Sequence, residues 1–325
     1  MRIRGSLGLT LVAALLACAS IAAVARDYPV RPVTLVVPHR PGGPSDVIAR
    51  VLGTLLGPVL RQPLVIENRP GAAGNIAAEQ AAHAAADGYT LLLANTAILA
   101  TNPARLKTTG FDPRLDFVPV TLLGTQANVL VVHPSVPALT LDQLITLARA
   151  RPGTLTFASS GHGSSAHLAG ELFKIAARAD LVHVPYKKPG PALHDVVGGH
   201  VHMMFAPAAL VRQHIRFGRL RAVAVATEKR SALLPGVATM DELGLKGFDA
   251  TTWYGLVAPV GTPGEIIDVL YHSSAAVLED PKARRIMGNL GIDVVGSSPR
   301  AFDAYIGSQI PKWAAVVKFF SAQTH

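Results

Sequence analysis

The chain has 325 residues, half of them apolar, and a formal net charge of +9. A chain of this length can bury enough apolar surface for two domains. Its single cysteine, Cys18, lies near the start, so the remainder forms no disulfide and offers no thiolate nucleophile or metal ligand. Basic residues are scattered and aromatic residues make up only 6%, which argues against nucleic acid as a partner.

The first 25 residues have the pattern of a secretory signal peptide. Arg2 and Arg4 precede an apolar run over residues 7–16, and Ala23-Val24-Ala25 supplies a cleavage site of the A-x-A type. We therefore predict that the signal peptide is cleaved after its last alanine and that the rest of the chain is exported.

Two alternatives to cleavage at this site stay open. The first alternative is a membrane-spanning anchor. The apolar stretch over residues 7–24 reaches only the ~18-residue lower limit of a membrane span, and small and polar residues dilute it. The sequence Leu15-Leu16-Ala17-Cys18 loosely resembles a lipoprotein cleavage box. Leu16 fits that box poorly, so lipidation of the cysteine is the weaker of the two interpretations.

Short β-rich runs alternate with amphipathic helical patterns along the rest of the chain. In chain order, the sequence predicts strands over residues 33–37, 64–67, 89–94, 128–132, 155–158, 181–184 and 202–205, and helices over 46–60, 75–86, 141–150 and 165–177. This alternation predicts an α/β fold in which helices cover mixed, mostly parallel sheets.

One pattern, a strand followed by a glycine-rich loop and a helix, occurs twice. The first loop covers residues 38–45 and the second covers residues 159–164, each with a Ser or Asp available to cap the helix. A helix start binds anions through its free N–H groups and partial positive charge, and glycine lets a ligand approach the backbone. The two loops therefore predict an anion-binding cleft, although ordinary capped turns would give the same pattern.

A cofactor and a metal are the next possibilities. Gly161-x-Gly163-x-x-Ala166 fits the dinucleotide-binding pattern, but Asp180 precedes the next strand, whereas the motif needs an acidic residue at its end. Among the 12 histidines, His194, His200 and His202 lie close in sequence without a distinctive metal-ligand spacing. We therefore expect no cofactor and no metal.

Catalysis would need a nucleophile beside a base. Ser164, Ser165 and His167 are close in sequence, but at a helix start they are more simply interpreted as caps and as hydrogen-bond donors to a ligand. We therefore expect no catalytic residue, and an exported enzyme that uses the same cleft remains an alternative.

Several longer segments resemble one known family. They are Pro41-Gly42-Gly43 with Asp46, Glu67-Asn68-Arg69-Pro70-Gly71-Ala72-Ala73-Gly74, His167-Leu168-Ala169-Gly170-Glu171-Leu172-Phe173-Lys174, Val184-Pro185-Tyr186-Lys187 and Trp253-Tyr254-Gly255-Leu256. In this order they are similar to the Bug (TctC-like) family, the periplasmic receptors of tripartite tricarboxylate transporters. The resemblance covers nearly the whole chain after the signal peptide.

The resemblance implies a two-domain periplasmic binding protein that closes on its ligand like a hinged trap. Domain 1 would comprise residues 26–125 plus 250–325, and domain 2 would comprise residues 126–249. The implied partners are a small organic acid or acidic amino acid and the membrane subunits of a transporter, with the receptor itself a monomer in the periplasm. A receptor that presents its ligand to a membrane sensor would share this fold.

The resemblance also implies a site built largely from backbone amides and hydroxyls. Carried over by position, the ligand-binding residues would be His39, Pro41, Gly42, Gly43, Pro44, Ser45, Asp46, Asn95, Thr96, Ser159, Ser160, Gly161, His162, Gly163, Ser164, Ser165, His167, Ala206 and Pro207. The chain departs from the family at His39-Arg40, His162, Lys188 and Met203, where Phe, a small residue, Gly and an acid are usual. Fewer acids and more cations near the cleft would suit a ligand more acidic than a monocarboxylate.

Overall fold

The computed structural model of the protein describes residues 28–106 and 108–323. The predicted signal peptide and Cys18 lie outside these residues. Within them, no helix is both long and apolar enough to cross a membrane.

Strands and helices alternate as the sequence predicts. The strands are Val33–Val37 (β1), Leu64–Asn68 (β2), Thr90–Asn95 (β3), Phe117–Gln126 (β4), Asn128–Val132 (β5), Thr156–Ser159 (β6), Val182–Pro185 (β7), Met203–Pro207 (β8), Arg221–Val225 (β9), Thr252–Pro259 (β10) and Ile292–Val294 (β11). The helices are Pro44–Leu60 (α1), Asn75–Ala82 (α2), Asn102–Arg105 (α3), Leu141–Ala150 (α4), Ser165–Ala177 (α5), Pro189–Val197 (α6), Ala208–Arg216 (α7), Gly264–Glu279 (α8), Pro281–Asn289 (α9) and Pro299–Gln323 (α10).

The strands form two mixed sheets covered by helices, as expected. The first sheet has the order β11-β4-β10-β3-β1-β2, and the second has the order β7-β6-β8-β5-β9. The expectation that the pairings are mostly parallel is wrong. Only β1–β2, β1–β3, β6–β7 and β6–β8 are parallel, because β4, β5 and β10, next to the points where the chain crosses between the sheets, pair antiparallel with their neighbours.

The chain crosses between the sheets at two adjacent places. One crossing joins β4 to β5 through Ala127, and the other leads through Ala250 into β10. Asn128 is fully buried at this point, and its side-chain amide donates to the Ala250 carbonyl at 2.8 Å and to Thr252 Oγ1 at 3.2 Å. A buried amide that donates to both neighbours holds the two crossings together. The domain boundaries given above stay a prediction.

The C-terminal helix α10 packs against both sheets. Near its start, Phe302 meets the ring of Trp253 of β10 edge-on, with centroids 5.7 Å apart. Near its end, Phe320 meets the ring of His167 of α5 at 4.9 Å. This helix was not predicted, and it connects the two halves of the structure over its 25 residues.

Most predicted elements agree with the structure to within two residues at each end. The predicted helix over residues 75–86 is an exception, because α2 ends at Ala82. There the backbone N–H of His83 and its ring Nδ1 both approach the Glu79 carbonyl, at 3.2 and 2.8 Å. The carbonyl is thus satisfied locally, and the chain turns toward β3.

The contact between Gly170 of α5 and Phe157 of β6 gives a test of packing. A Cβ at Gly170 would lie 2.2 Å from the buried Phe157 ring. We expect Gly170→Ala to lower the free energy of unfolding by about 1–3 kcal/mol, because a well-packed core must shift. Urea unfolding followed by circular dichroism measures this change.

Gly190→Ala is the matched control, since a Cβ there meets nothing within 4 Å and Gly190 lies in α6. Alanine should leave stability unchanged or raise it by up to about 1 kcal/mol. Equal destabilisation by both substitutions would contradict the packing described here.

Candidate ligand-binding site

A cavity of about 910 Å³ lies between the two sheets. Its lining comes from the carboxyl ends of strands and from the helix starts that follow them. The first turns of α1, α5, α6 and α7 all contribute, through Ser45, Ser165, Pro189 and Ala209 respectively. Helix starts carry partial positive charge, so four of them around one cavity favour an anion.

The first loop is held in place from behind by Asp46. The buried carboxylate accepts hydrogen bonds from the Gly42 N–H at 2.9 Å, from Arg50 Nε at 2.9 Å and from Asn68 Nδ2 at 3.0 Å. Gly42 adopts a φ of +87°, which a residue with a side chain rarely does. Asn68 also donates to the His39 carbonyl at 2.9 Å, so the whole loop is fixed.

Hydrogen bonding sets the charge state of this carboxylate. The Arg50 side chain chiefly, with the Gly42 and Asn68 donors, outweighs burial and lowers the pKa of Asp46 to about 2. The carboxylate is therefore ionised at neutral pH and holds the loop from outside the cavity lining. The helix start also differs from expectation, because Gly43 is the N-cap, Pro44 is the first helical residue and no side chain caps the helix.

The second loop is fixed in the same manner. Ser164 caps α5 as predicted, accepting a hydrogen bond from the His167 N–H at 3.3 Å. The Gly163 N–H donates to His167 Nδ1 at 3.1 Å, and the Gly161 N–H donates to Ser159 Oγ at 3.0 Å. Ser159 and His167 thus lie behind the loop.

The structure divides the predicted ligand-binding residues into two groups. The cavity is lined by His39, Pro41, Gly43, Pro44, Ser45, Asn95, Thr96, Ser160, Gly163, Ser164, Ser165 and Pro207. The residues Gly42, Asp46, Ser159, Gly161, His162, His167 and Ala206 are not in its lining. Most of the second group lie in the two loops or directly behind them.

Some lining residues were not predicted. Gln126 ends β4, and Thr252 and Tyr254 begin β10, so they reach the cavity from the two crossings. Gln126 donates to the Leu290 carbonyl at 2.9 Å, and Tyr254 donates to Gln126 Oε1 at 3.4 Å. Tyr254 lies in one of the segments that resemble the family, but no local motif marks Gln126 or Thr252, which meet through the pairing of β4 with β10.

The charged groups that face the cavity are cations. Arg40 of the first loop and Lys188 at the start of α6 line it from opposite sheets, and none of the described lining residues is acidic. His39 faces the same space and shares a hydrogen bond with Ser45 Oγ at 2.9 Å. Neighbouring atoms partly remove water from the imidazole and lower the pKa of His39, although the residue as a whole is exposed. Met203, at the position where an acid is usual in the family, is fully buried and does not line the cavity.

Three histidines cluster in the second loop and directly behind it. One ring nitrogen each from His162, His167 and His183 lie within 4.8 Å of one another. Burial, followed by the neighbouring imidazoles, lowers the pKa of His167 to about 3, and the same causes lower the pKa of His183 to about 4. In the described residues this is the one group of three that could hold a metal ion, and His194, His200 and His202 form none.

Comparison with known proteins agrees with this architecture. Residues 48–321 match the family described as "Tripartite tricarboxylate transporter family receptor". The chain belongs to this family. It is 39% identical to the protein BugT of Bordetella pertussis over 313 residues, which are 95% of this chain and 96% of BugT.

Solved structures of similar proteins include two with bound acids. Rpa4515 of R. palustris with adipate is 36% identical, with a TM-score of 0.77 over 90% of this chain and 97% of that one. MatC of Rhodopseudomonas palustris with bound malate is 32% identical, with a TM-score of 0.75 over 89% of this chain and 100% of that one. These relatives are therefore similar to this chain in both sequence and fold.

The role of Asp46 can be tested by substitution. Asp46→Asn removes the charge that pairs with Arg50, and we expect it to lower the free energy of unfolding at pH 7 by about 2 kcal/mol. Because the folded-state pKa lies below the unfolded value of about 3.9, this contribution is present above about pH 4 and is lost as pH falls toward 2. Urea unfolding at several pH values measures it.

The exposed Asp268 of α8 serves as the control. Asp268→Asn should change stability by no more than about 0.5 kcal/mol. A loss in Asp46→Asn that does not shrink in acid would show that the charge is not its cause.

Proposed function

We propose that this chain is an extracytoplasmic receptor that binds a small organic acid with two carboxylates and delivers it to a tripartite tricarboxylate-type membrane transporter. The observation that carries the proposal is a cavity between two sheets with four helix starts and two cations in its lining and no acid among its described lining residues. Such a lining attracts carboxylates and repels none of them.

The first carboxylate would meet the loop before α1. Helix α1 begins without a side-chain cap, so a ligand oxygen can take the place of one. Ser45 is in the lining, and Arg40 lies at the same loop. A carboxylate held by backbone N–H groups, a hydroxyl and a guanidinium has charge-assisted hydrogen bonds, which are roughly twice as strong as neutral ones.

The second carboxylate would meet the opposite sheet. Ser164 and Ser165 line the cavity at the start of α5, and Lys188 lines it at the start of α6. A ligand with a carboxylate at each end therefore finds donors on both sheets. Adipate and malate, the acids bound to two of the relatives, both have two carboxylates.

Bridging by such a ligand would also explain how capture is signalled to a transporter. In the proposed division, residues 26–125 plus 250–325 form one domain and residues 126–249 the other. An acid with one end on each domain stabilises the closed arrangement over the open one. The closed receptor, a periplasmic monomer released from its signal peptide, would then present one surface to the membrane subunits, and it needs no catalytic residue.

The substrate class is tested by calorimetry with matched acids. We expect malate, succinate or adipate to bind more tightly than monocarboxylates of the same chain length. Lys188→Gln should weaken the dicarboxylate by about tenfold, because one charge-assisted hydrogen bond is lost, and it should affect a monocarboxylate less.

Lys187→Gln is the matched control, since Lys187 is the adjacent exposed cation and is not in the cavity lining. A thermal-shift screen gives an independent measure, because a ligand that binds only the folded state raises its melting temperature. Stabilisation by a nucleotide and by no organic acid would contradict the proposal. Uptake of the labelled acid, lost on deletion of the gene and restored by the wild-type chain, tests delivery.

A further inference from the structure

The cluster of His162, His167 and His183 lies next to the ligand-binding cavity but outside its lining. None of the three lines that cavity, and each comes from a different part of the second sheet: the loop before α5, α5 itself and β7. His167 is buried, His183 is partly buried and His162 is exposed. An ion could therefore reach the cluster from solvent at the His162 side.

We propose that these three imidazoles form a binding site for a divalent transition metal of the zinc or copper class. Imidazole nitrogen is a preferred ligand of Zn²⁺, Cu²⁺ and Ni²⁺. The three nitrogens lie within 4.8 Å of one another. Zn–N bonds of about 2.0–2.1 Å place tetrahedral ligands about 3.3 Å apart, so the nitrogens need to move closer by only a small distance to bind one ion. The exposed His162, between two glycines, can supply most of that movement.

The groups around the cluster orient the rings as second-shell partners do. Nε2 of His183 lies 2.7 Å from Ser159 Oγ, and Nε2 of His167 faces the buried Glu171 carboxylate at 3.7 Å. A ring that binds a metal through one nitrogen usually donates from the other to a hydroxyl, carbonyl or carboxylate. His183 has such a partner in Ser159, whereas the Glu171 carboxylate lies beyond hydrogen-bond distance of His167.

Binding has one local cost. Nδ1 of His167 accepts the Gly163 N–H at 3.1 Å, so an ion at this nitrogen displaces that hydrogen bond. Gly163 lines the ligand-binding cavity. An ion bound through this nitrogen would therefore change the loop that lines the cavity.

The surrounding charges decide which ions fit. Glu171 favours a cation, but it pairs with Lys174 at 3.1 Å, and both Lys174 and Arg105 lie close enough to oppose positive charge at His167. Mg²⁺ and Ca²⁺ need several oxygen ligands and negative charge, and the cluster supplies neither. Only ions that bond strongly to neutral imidazole nitrogen overcome the nearby cations.

Titration calorimetry on the untagged, chelator-washed protein tests the proposal. We expect one Zn²⁺ or Cu²⁺ to bind per chain, and no heat of binding with Mg²⁺. His162→Ala should weaken Zn²⁺ binding at least tenfold, because one of three protein ligands is lost. Because the side chain of His162 is exposed, the variant should keep the wild-type melting temperature in metal-free buffer.

The control variant is His194→Ala, which removes an imidazole that is 83% exposed and lies outside the cluster. Its Zn²⁺ affinity should equal that of the wild type. Equal losses in both variants, or no loss in His162→Ala, would assign the binding to scattered surface histidines and overturn the proposal. The visible spectrum of the Co²⁺ form gives a second readout, in which tetrahedral nitrogen coordination supports the site and a hexa-aqua spectrum contradicts it. Failure of this test leaves the proposed binding of an organic acid standing, since none of the three histidines lines the cavity.

Discussion

The hydrogen bonds of Asn128 fix the geometry on which the ligand-binding cavity depends. Its side chain donates to Ala250 and Thr252, and its carbonyl accepts the Ala226 N–H at 2.8 Å, while the Ala250 N–H donates to Ala226 at 2.8 Å. Three segments that are far apart in sequence therefore meet where the chain passes between the sheets. Loss of the side-chain amide would leave the Ala250 carbonyl and the Thr252 hydroxyl without this donor where the chain passes between the sheets, which is costly for buried polar groups.

The two loops that face each other across the cavity follow one physical rule. Side chains behind each loop take up its inward-facing N–H groups, and the outward-facing backbone remains available to a ligand. Asp46 does this for the first loop, and Ser159 with His167 does it for the second. Preorganisation of this kind lowers the entropy lost on binding. It also explains why residues within a recognisable binding motif are not all ligands.

Local signals predicted the parts of the fold that depend on local structure. The segments that became β1 with α1 and β6 with α5 combine an apolar run, a glycine-rich loop and a helix, so the sequence alone located both loops. Gln126, Tyr254 and Trp313 reach the cavity only through tertiary packing, which no local pattern encodes. The histidine cluster was missed for the same reason. His183 meets its partners because β7 pairs in parallel with β6, where it lies opposite Phe157. The antiparallel strands beside the crossings were likewise invisible to a rule based on strand–helix alternation.

The C-terminal helix has a mechanical consequence for a receptor of this kind. It contacts the first sheet through Phe302 and an element of the second sheet's layer through Phe320, so the two ends of one helix rest on different halves of the structure. If the sheets rotate apart about the crossings, as proposed for a hinged receptor, the end near Phe320 would separate from the second sheet while the end near Phe302 stays on the first. The far end rests on His167, the residue that holds the second loop. Opening of the proposed hinged receptor would therefore break the contact between Phe320 and His167 unless the end of the helix moved with the second loop.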